Sequence, residues 1–195
     1  MLSLSSLTPQ LVTLLAALTV AGQVIAVLLL ALLLLRLFRK DGMMEKWILR
    51  YGMTFMFIVA LTATVGSLFF SEIAGWTPCK LCWIQRIFMY PQALLLGLAL
   101  YRRDRGIVPY ILLLSIVGLY FSGAHYAEQV QAALQPAGDP LQPCDAGGVS
   151  CANTNIRFTF GYITIPLMAF TAFAMNALMS VLHFPLPRPS RTGQA

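Results

Sequence analysis

Charge is scarce in this sequence. Of its 195 residues 10% are charged and 58% are apolar, and the mean hydropathy is +0.76. So little charge over so much apolar surface excludes an ordinary soluble domain and fits a polytopic membrane protein. A hydrocarbon core of about 30 Å needs about 20 apolar residues per helix. Five runs qualify: Leu11–Leu35, Trp47–Phe70, Cys82–Tyr101, Ile107–His125 and Phe160–Leu182. They leave little chain for anything else, so the expected fold is all-α, a single membrane domain. There is no internal repeat, and no low-complexity tract beyond the Leu-rich end of the first run.

Also missing are the motifs of resident redox groups. The chain has no Rossmann glycine pattern, no Cys-x-x-Cys-His for haem attachment and no iron–sulfur spacing. A four-thiolate metal site is disfavoured too. Only one Cys-x-x-Cys is present, and no histidine lies in the cysteine loops.

The net charge of +6 follows the membrane and is no sign of nucleic-acid binding. Arg36, Arg39, Lys40, Lys46 and Arg50 lie between runs one and two, Arg102, Arg103 and Arg105 between runs three and four, and Arg188 and Arg191 in the tail. Lys80, Arg86 and Arg157 fall in or beside the other loops, so ten of the 13 positive residues share one side. The positive-inside rule makes that side the cytoplasm, with the N-terminus outside and the C-terminus inside. The first run lacks a basic start, is too apolar in length for a signal peptide, and is followed by its charges. It is read as a retained transmembrane helix. The Pro- and Arg-rich tail is expected to be disordered.

In this topology all four cysteines face outward, where disulfides form and persist. Cys144 and Cys151, in "CDAGGVSC", are compatible with a structural bridge. Cys79 and Cys82 suit one poorly, because so short a loop constrains the unfolded chain little. Their spacing is typical of exchanging thiols.

In "TPCKLCWIQR", Pro78 suits a helix entrance. Cys79 and Cys82 are expected in the first turn, where unpaired N–H groups and the helix dipole favour a thiolate. Lys80 adds a nearby positive charge. At about 100° per residue, positions 79, 82 and 86 fall within about 60° of one another, and Arg86 lies roughly 6 Å deeper than Cys82. An arginine inside a span is costly. It either snorkels to headgroups or serves a site. His125 and Glu128 are expected at the same level, at the outer end of the fourth run. An interfacial, solvated histidine and a hydrogen-bonding or proton-carrying one are both open there. The stretch Tyr126–Pro136 reads either as a short amphipathic surface helix or as a loop.

Two thiols that become a disulfide release two electrons and two protons. A quinone, dissolved in lipid with its polar ring near the surface, would meet Cys82 directly. Its carbonyls would take hydrogen bonds from Arg86 and His125, and a fixed cation would stabilise the charge that develops on its oxygens.

At this point a resemblance becomes specific. "CKLCWIQRIFMYPQ" resembles the signature of the quinone-linked thiol oxidases, the disulfide bond formation protein B family, and especially its Gram-positive type C branch. "GYITIPLMAF" resembles the start of that family's last helix. The similarity spans about residues 47–183. It implies a four-helix transmembrane bundle over residues 47–185, preceded by an extra transmembrane helix and loop (1–46) and followed by a disordered cytoplasmic tail (186–195). It also implies a bacterial cytoplasmic membrane, a quinone acceptor (ubiquinone or menaquinone), and a secreted thioredoxin-fold dithiol oxidase as partner. By position, Cys144 would be attacked by the partner, Cys151 would exchange with Cys79, and Cys82 would pass electrons to the quinone beside Arg86 and His125. Two features depart from the pattern. The helix Leu11–Leu35 lies outside the four-helix core and is expected to anchor, to pack against the bundle or to aid insertion. Cys144 and Cys151 are unusually close, which leaves the order of exchange less fixed. A vitamin K epoxide reductase-type enzyme, whose Cys-x-x-Cys comes later in the helix order, and a non-enzymatic scaffold with structural disulfides are the alternatives.

Overall fold

Each apolar run becomes helical, because a backbone in lipid finds no water to pair with and must bond to itself. The computed structural model describes residues 4–38, 42–134 and 159–183. Among them are five α-helices: α1 (Leu4–Phe38), α2 (Gly42–Leu68), α3 (Lys80–Arg102), α4 (Val108–Leu134) and α5 (Ile165–His183). A π-helical turn, Phe69–Ile73, ends α2. The β pairing among the described residues is one isolated bridge, Thr159–Ile163. The protein is an all-α, multi-pass membrane protein. Helices α1, α2, α4 and α5 are long and apolar enough to cross a bilayer. At 23 residues α3 matches them in length, but it carries Gln85, Arg86 and Gln92, all three turned inside the bundle.

Helix α5 packs against α4, α2 and α1, and α3 lies between α2 and α4. The core is built from Met56, Leu96, Ile111, Phe173 and Leu182. At Gly118 a Cβ would fall inside the ring of Phe173, so only glycine lets α4 and α5 approach as they do. A buried polar clamp ties three helices. Gln92 Oε1 accepts from Ser115 Oγ (3.2 Å) and Asn176 Nδ2 (3.0 Å), while Gln92 Nε2 donates to Phe88 O at 3.1 Å.

The first run does pack against the bundle. Leu29 of α1 joins the core, with Leu32 and Leu33 against it. At Gly22 a Cβ would lie 3.0 Å from Met175 Cε and 3.2 Å from Thr171 Cγ2, a seat of close approach to α5. Tyr162 donates to Gln23 Oε1 at 2.8 Å, and Arg36 donates to Leu182 O.

Helices α1 and α2 begin several residues ahead of their apolar runs, and two further boundaries near the site differ from expectation. Tyr126 to Leu134 continue α4 and form no separate surface helix, because no glycine or proline interrupts the chain between Gly123 and Pro136. The last helix begins at Ile165, not Phe160. Phe160 (φ 52°) and Gly161 (φ 83°) occupy a tight left-handed turn that closes the Thr159–Ile163 bridge, which helical backbone cannot do. Cys144, Cys151, Arg157 and the tail 186–195 lie outside the described residues.

Candidate active site

Pro78 delivers the chain to Cys79, which caps α3. Its backbone is extended (φ −74°, ψ 172°), and its Sγ accepts from Cys82 N at 3.3 Å. The sulfur fills the role an oxygen has at most N-caps, pairing one of the helix's orphan N–H groups. Cys79 is thus one step earlier than the first turn in which the sequence reading put it. The cause is that a cap needs extended backbone, which the turn itself excludes. Cys82 is the third helical residue. The two thiols are unbridged, with their sulfurs 2.9 Å apart. Cys79 is buried and Cys82 half-buried.

Helix α4 brings His125 over this cap. The ring is 1% exposed, which excludes a solvated interfacial role. Its Nε2 lies 3.7 Å from Cys79 Sγ, and its Nδ1 lies 2.9 Å from Gln85 Nε2. An amide N–H can only donate, so Nδ1 accepts and the ring proton sits on Nε2, facing the sulfur. The Cys79 thiol is pulled down to about 4, chiefly by the hydrogen bond from the Cys82 thiol. His125 and the Cys82 amide add to this, and burial opposes it. Cys79 is therefore a thiolate at neutral pH. Lys80 is exposed and is not among the causes.

Arg86 is 9% exposed. It does not snorkel: its Nε donates to Ser67 Oγ and its Nη2 to Ser67 O, both at 3.0 Å. Tyr90 OH also donates to Ser67 Oγ, at 3.3 Å. The guanidinium lies over the Trp83 ring, 5.2 Å from its centroid. An arginine has five N–H donors, so Ser67 fixes the group without exhausting it.

These groups share one cavity of about 1270 Å³. Cys79, Cys82, Gln85, Arg86, His125 and Gln129 line its polar part, and side chains such as Val12, Leu15, Phe55, Val59, Met168 and Met175 make apolar walls. Such a volume exceeds the roughly 300–1,000 Å³ of most small-ligand pockets. It suits a polar ring with an apolar tail. Thr159, Ile163 and Thr164, just ahead of α5, also line it.

Two contributors had no role in the sequence reading. Gln85 was visible as an amide inside an apolar helix, next to Arg86. Ser67 was not legible, because its role depends on the register of α2 against α3. The ligand atoms of Cys79, Cys82 and His125 all lie within 4.8 Å of one another. Two thiols and one imidazole are one ligand short of a closed structural zinc site.

Most of the chain is similar to known proteins. The family model "Disulfide bond formation protein DsbB" matches residues 49–183, which leaves α1 outside it. The chain is 44% identical over 125 residues to the disulfide bond formation protein C of Bacillus subtilis, covering 64% of this chain and 86% of that one. It is 42% identical over 125 residues to a probable disulfide formation protein C of Halalkalibacterium halodurans, covering 64% and 87%. It is 34% identical over 142 residues to a probable disulfide formation protein of Coxiella burnetii, covering 73% and 93%. No solved structure matches. With a cysteine-capped helix, a histidine on the cap and a family match across most of its length, the chain belongs to the DsbB family of disulfide bond formation proteins.

Proposed function

We propose that this disulfide-forming oxidoreductase is a thiol:quinone oxidoreductase of the bacterial cytoplasmic membrane. It reoxidises a secreted thioredoxin-fold dithiol oxidase and passes the electrons to ubiquinone or menaquinone. The observation that carries this reading is the single cavity that joins the Cys79–Cys82 dithiol, a buried arginine and apolar walls. Its donor set and its two-part character fit a quinone.

Starting from the Cys79 thiolate and the Cys82 thiol, closing the bond releases two electrons and one proton. A quinone held in the cavity would take up the electron pair and that proton, with a second proton from water, to give the hydroquinone. The chain's own residues do the rest. His125 holds a proton at Nε2 against the Cys79 sulfur and so keeps a thiolate ready. Gln85 fixes that tautomer. Arg86, anchored by Ser67, offers its remaining N–H groups to an acceptor oxygen and stabilises charge that grows there. Cys82, half-buried and one turn from Arg86, is the thiol that meets the acceptor. Cys79 is the one that exchanges with the loop pair, Cys144 receiving the partner and Cys151 relaying. The charge asymmetry of the loops supports an external N-terminus, external cysteine loops and a cytoplasmic C-terminus.

The test is quinone reduction by the purified protein with a reduced thioredoxin-fold partner. Cys79→Ser and Cys82→Ser should each abolish turnover while the protein still inserts. Retained turnover in either variant would remove that residue from the path. Disulfides that never respond to quinone would leave a structural scaffold.

A further inference from the structure

Helix α1 is outside the family match, yet it walls the cavity. Its lining residues run from Thr8 to Ile25, the part of α1 that faces the dithiol end, whereas Leu29 further along is buried in the core. Beyond this wall lies a second, smaller hollow of about 380 Å³ between α1 and α2. Leu11, Leu14, Leu61, Val65 and Phe69 line it, all apolar, and Leu14 and Val65 are more than half exposed on the helix surfaces that face lipid.

The two hollows share four residues: Leu15, Leu18, Thr62 and Gly66. At their centre Leu15 closes against Gly66, where a Cβ would lie 3.3 Å from Leu15 Cδ1. A position without a side chain on α2 and one flexible leucine on α1 meet where chamber and groove adjoin, with Leu18 and Thr62 beside them. The polar part of the chamber, at Arg86 and Cys82, suits a quinone ring, and the chamber runs from there to this seam.

Resting on the acceptor reading above, we propose that the isoprenoid tail of the membrane quinone passes through the Leu15–Gly66 seam, from the chamber into the lipid-facing groove. Leu15 and Gly66 are then specificity-determining residues for tailed acceptors. The extra helix α1 walls a face of the site that the other helices would leave open to lipid, with a lateral passage at this seam. A tail-free ring, which fills only the chamber, does not depend on the seam.

The test is equilibrium binding in lipid nanodiscs, read by quenching of tryptophan fluorescence. Trp76 lines the chamber and reports a bound ring. The probes are ubiquinone and menaquinone, each beside its tail-free ring analogue. Gly66→Leu fills the seam from α2, and Leu15→Phe fills it from α1. Each should weaken binding of the tailed quinone roughly tenfold or more, the equivalent of about two methylenes forced out of the apolar passage. Binding of the tail-free ring should stay within about twofold of wild type. Quinone extracted from the purified variants should fall in step. If Gly66→Leu fails to fold, Leu15→Phe alone decides. Equal losses for tailed and tail-free probes, or no loss for either, would overturn the seam. A wild-type chain that binds neither probe would remove the acceptor reading and the seam with it, an outcome distinct from variants that bind as wild type does.

Discussion

Cys79 and His125 are 46 positions apart, yet the thiol sulfur of one lies 3.7 Å from Nε2 of the other. The ring is held from behind by Gln85, 2.9 Å from Nδ1. One imidazole thus joins the start of α3 to α4 and decides which atom carries a proton. The cap hydrogen bond from the Cys82 amide acts on the same sulfur. The Cys82 amide and thiol and the His125 ring thus converge on one sulfur, a larger bias toward thiolate than a helix terminus supplies alone.

Removing a donor should therefore raise the Cys79 pKa. A hydrogen bond to a charged group is worth about 1.5–3 kcal/mol, or roughly one to two pKa units. His125→Ala should produce a rise of that order. Gln85→Leu should produce a smaller one, because the ring stays but its tautomer is no longer fixed. Alkylation of Cys79 in the reduced protein as a function of pH, followed by peptide mass spectrometry, reads both. A Cys79 profile identical to wild type in His125→Ala would mean the ring does not act on the sulfur.

The sign of the pH dependence follows from the same depression. With a folded pKa of about 4, Cys79 stays ionised above that value and protonates only as pH falls through it. Its alkylation rate should be nearly flat between pH 6 and 8. An ordinary thiol, with a pKa near 8.5, gains almost tenfold per pH unit there. The stability of the reduced protein follows too. This thiolate contributes fully above the unfolded pKa, and the contribution is lost progressively as pH falls toward the folded one. Chemical denaturation of the reduced chain at pH 5 and pH 8 should show higher stability at pH 8. A Cys79→Ala variant should lose most of that difference.

Much of this arrangement is legible from local chemistry. The helices follow from apolar run length, and the shared face of Cys79, Cys82 and Arg86 follows from helical periodicity, since both are properties of one segment. What depends on how two segments meet is not legible. Ser67 becomes the anchor of Arg86 only because α2 and α3 pack in one register. His125 looks interfacial in sequence, because the run that contains it stops there, but α4 continues to Leu134 and carries the ring into the bundle. The position of α1 was open for the same reason. A uniformly apolar helix has no face that names its neighbour, and Gly22 became informative only once Met175 and Thr171 were found against it.

Gly118 gives a prediction about packing alone. Any side chain there meets the Phe173 ring, and Phe173 is fully buried. Gly118→Val should destabilise the bundle by about 1–3 kcal/mol, the usual cost of overpacking. Thermal unfolding in detergent checks it. Gly123→Ala, whose Cβ would meet Phe170 at an ordinary 3.4 Å, should be close to wild type.

The loop cysteines should be separable from the dithiol. Cys144→Ser or Cys151→Ser should block oxidation of the protein partner yet leave Cys79 and Cys82 oxidisable by quinone. The motive is that Thr159, where the described chain resumes after them, lines the dithiol's cavity without being part of its chemistry. Trapping free thiols in a Cys144→Ser background after adding quinone reads it. A Cys79–Cys82 pair that stays reduced would mean the relay does not run in this order.

Arg86 and Ser67 give the sharpest division between holding a site and acting in it. The guanidinium is buried and bonded twice to Ser67 at 3.0 Å, so its position is fixed before any acceptor arrives. If its remaining donors meet the quinone ring, Arg86→Met should raise KM for quinone. It should also lower kcat, because the cation stabilises charge that grows only during reduction. Loss of one charged hydrogen bond, about 1.5–3 kcal/mol, corresponds to roughly tenfold to a hundredfold in kcat/KM. Arg86→Lys should recover part of this: it keeps the charge but cannot span Ser67 and an acceptor with one planar fork. Ser67→Ala removes the Nε–Oγ bond, keeps the bond to the backbone carbonyl and leaves the cation, so it should raise KM with a smaller change in kcat. That split distinguishes positioning from transition-state stabilisation. Steady-state kinetics of the three purified variants, with quinone varied and thermal unfolding measured alongside, decide the matter. Wild-type kinetics in a stably folded Arg86→Met protein would assign the arginine to the α2–α3 contact alone.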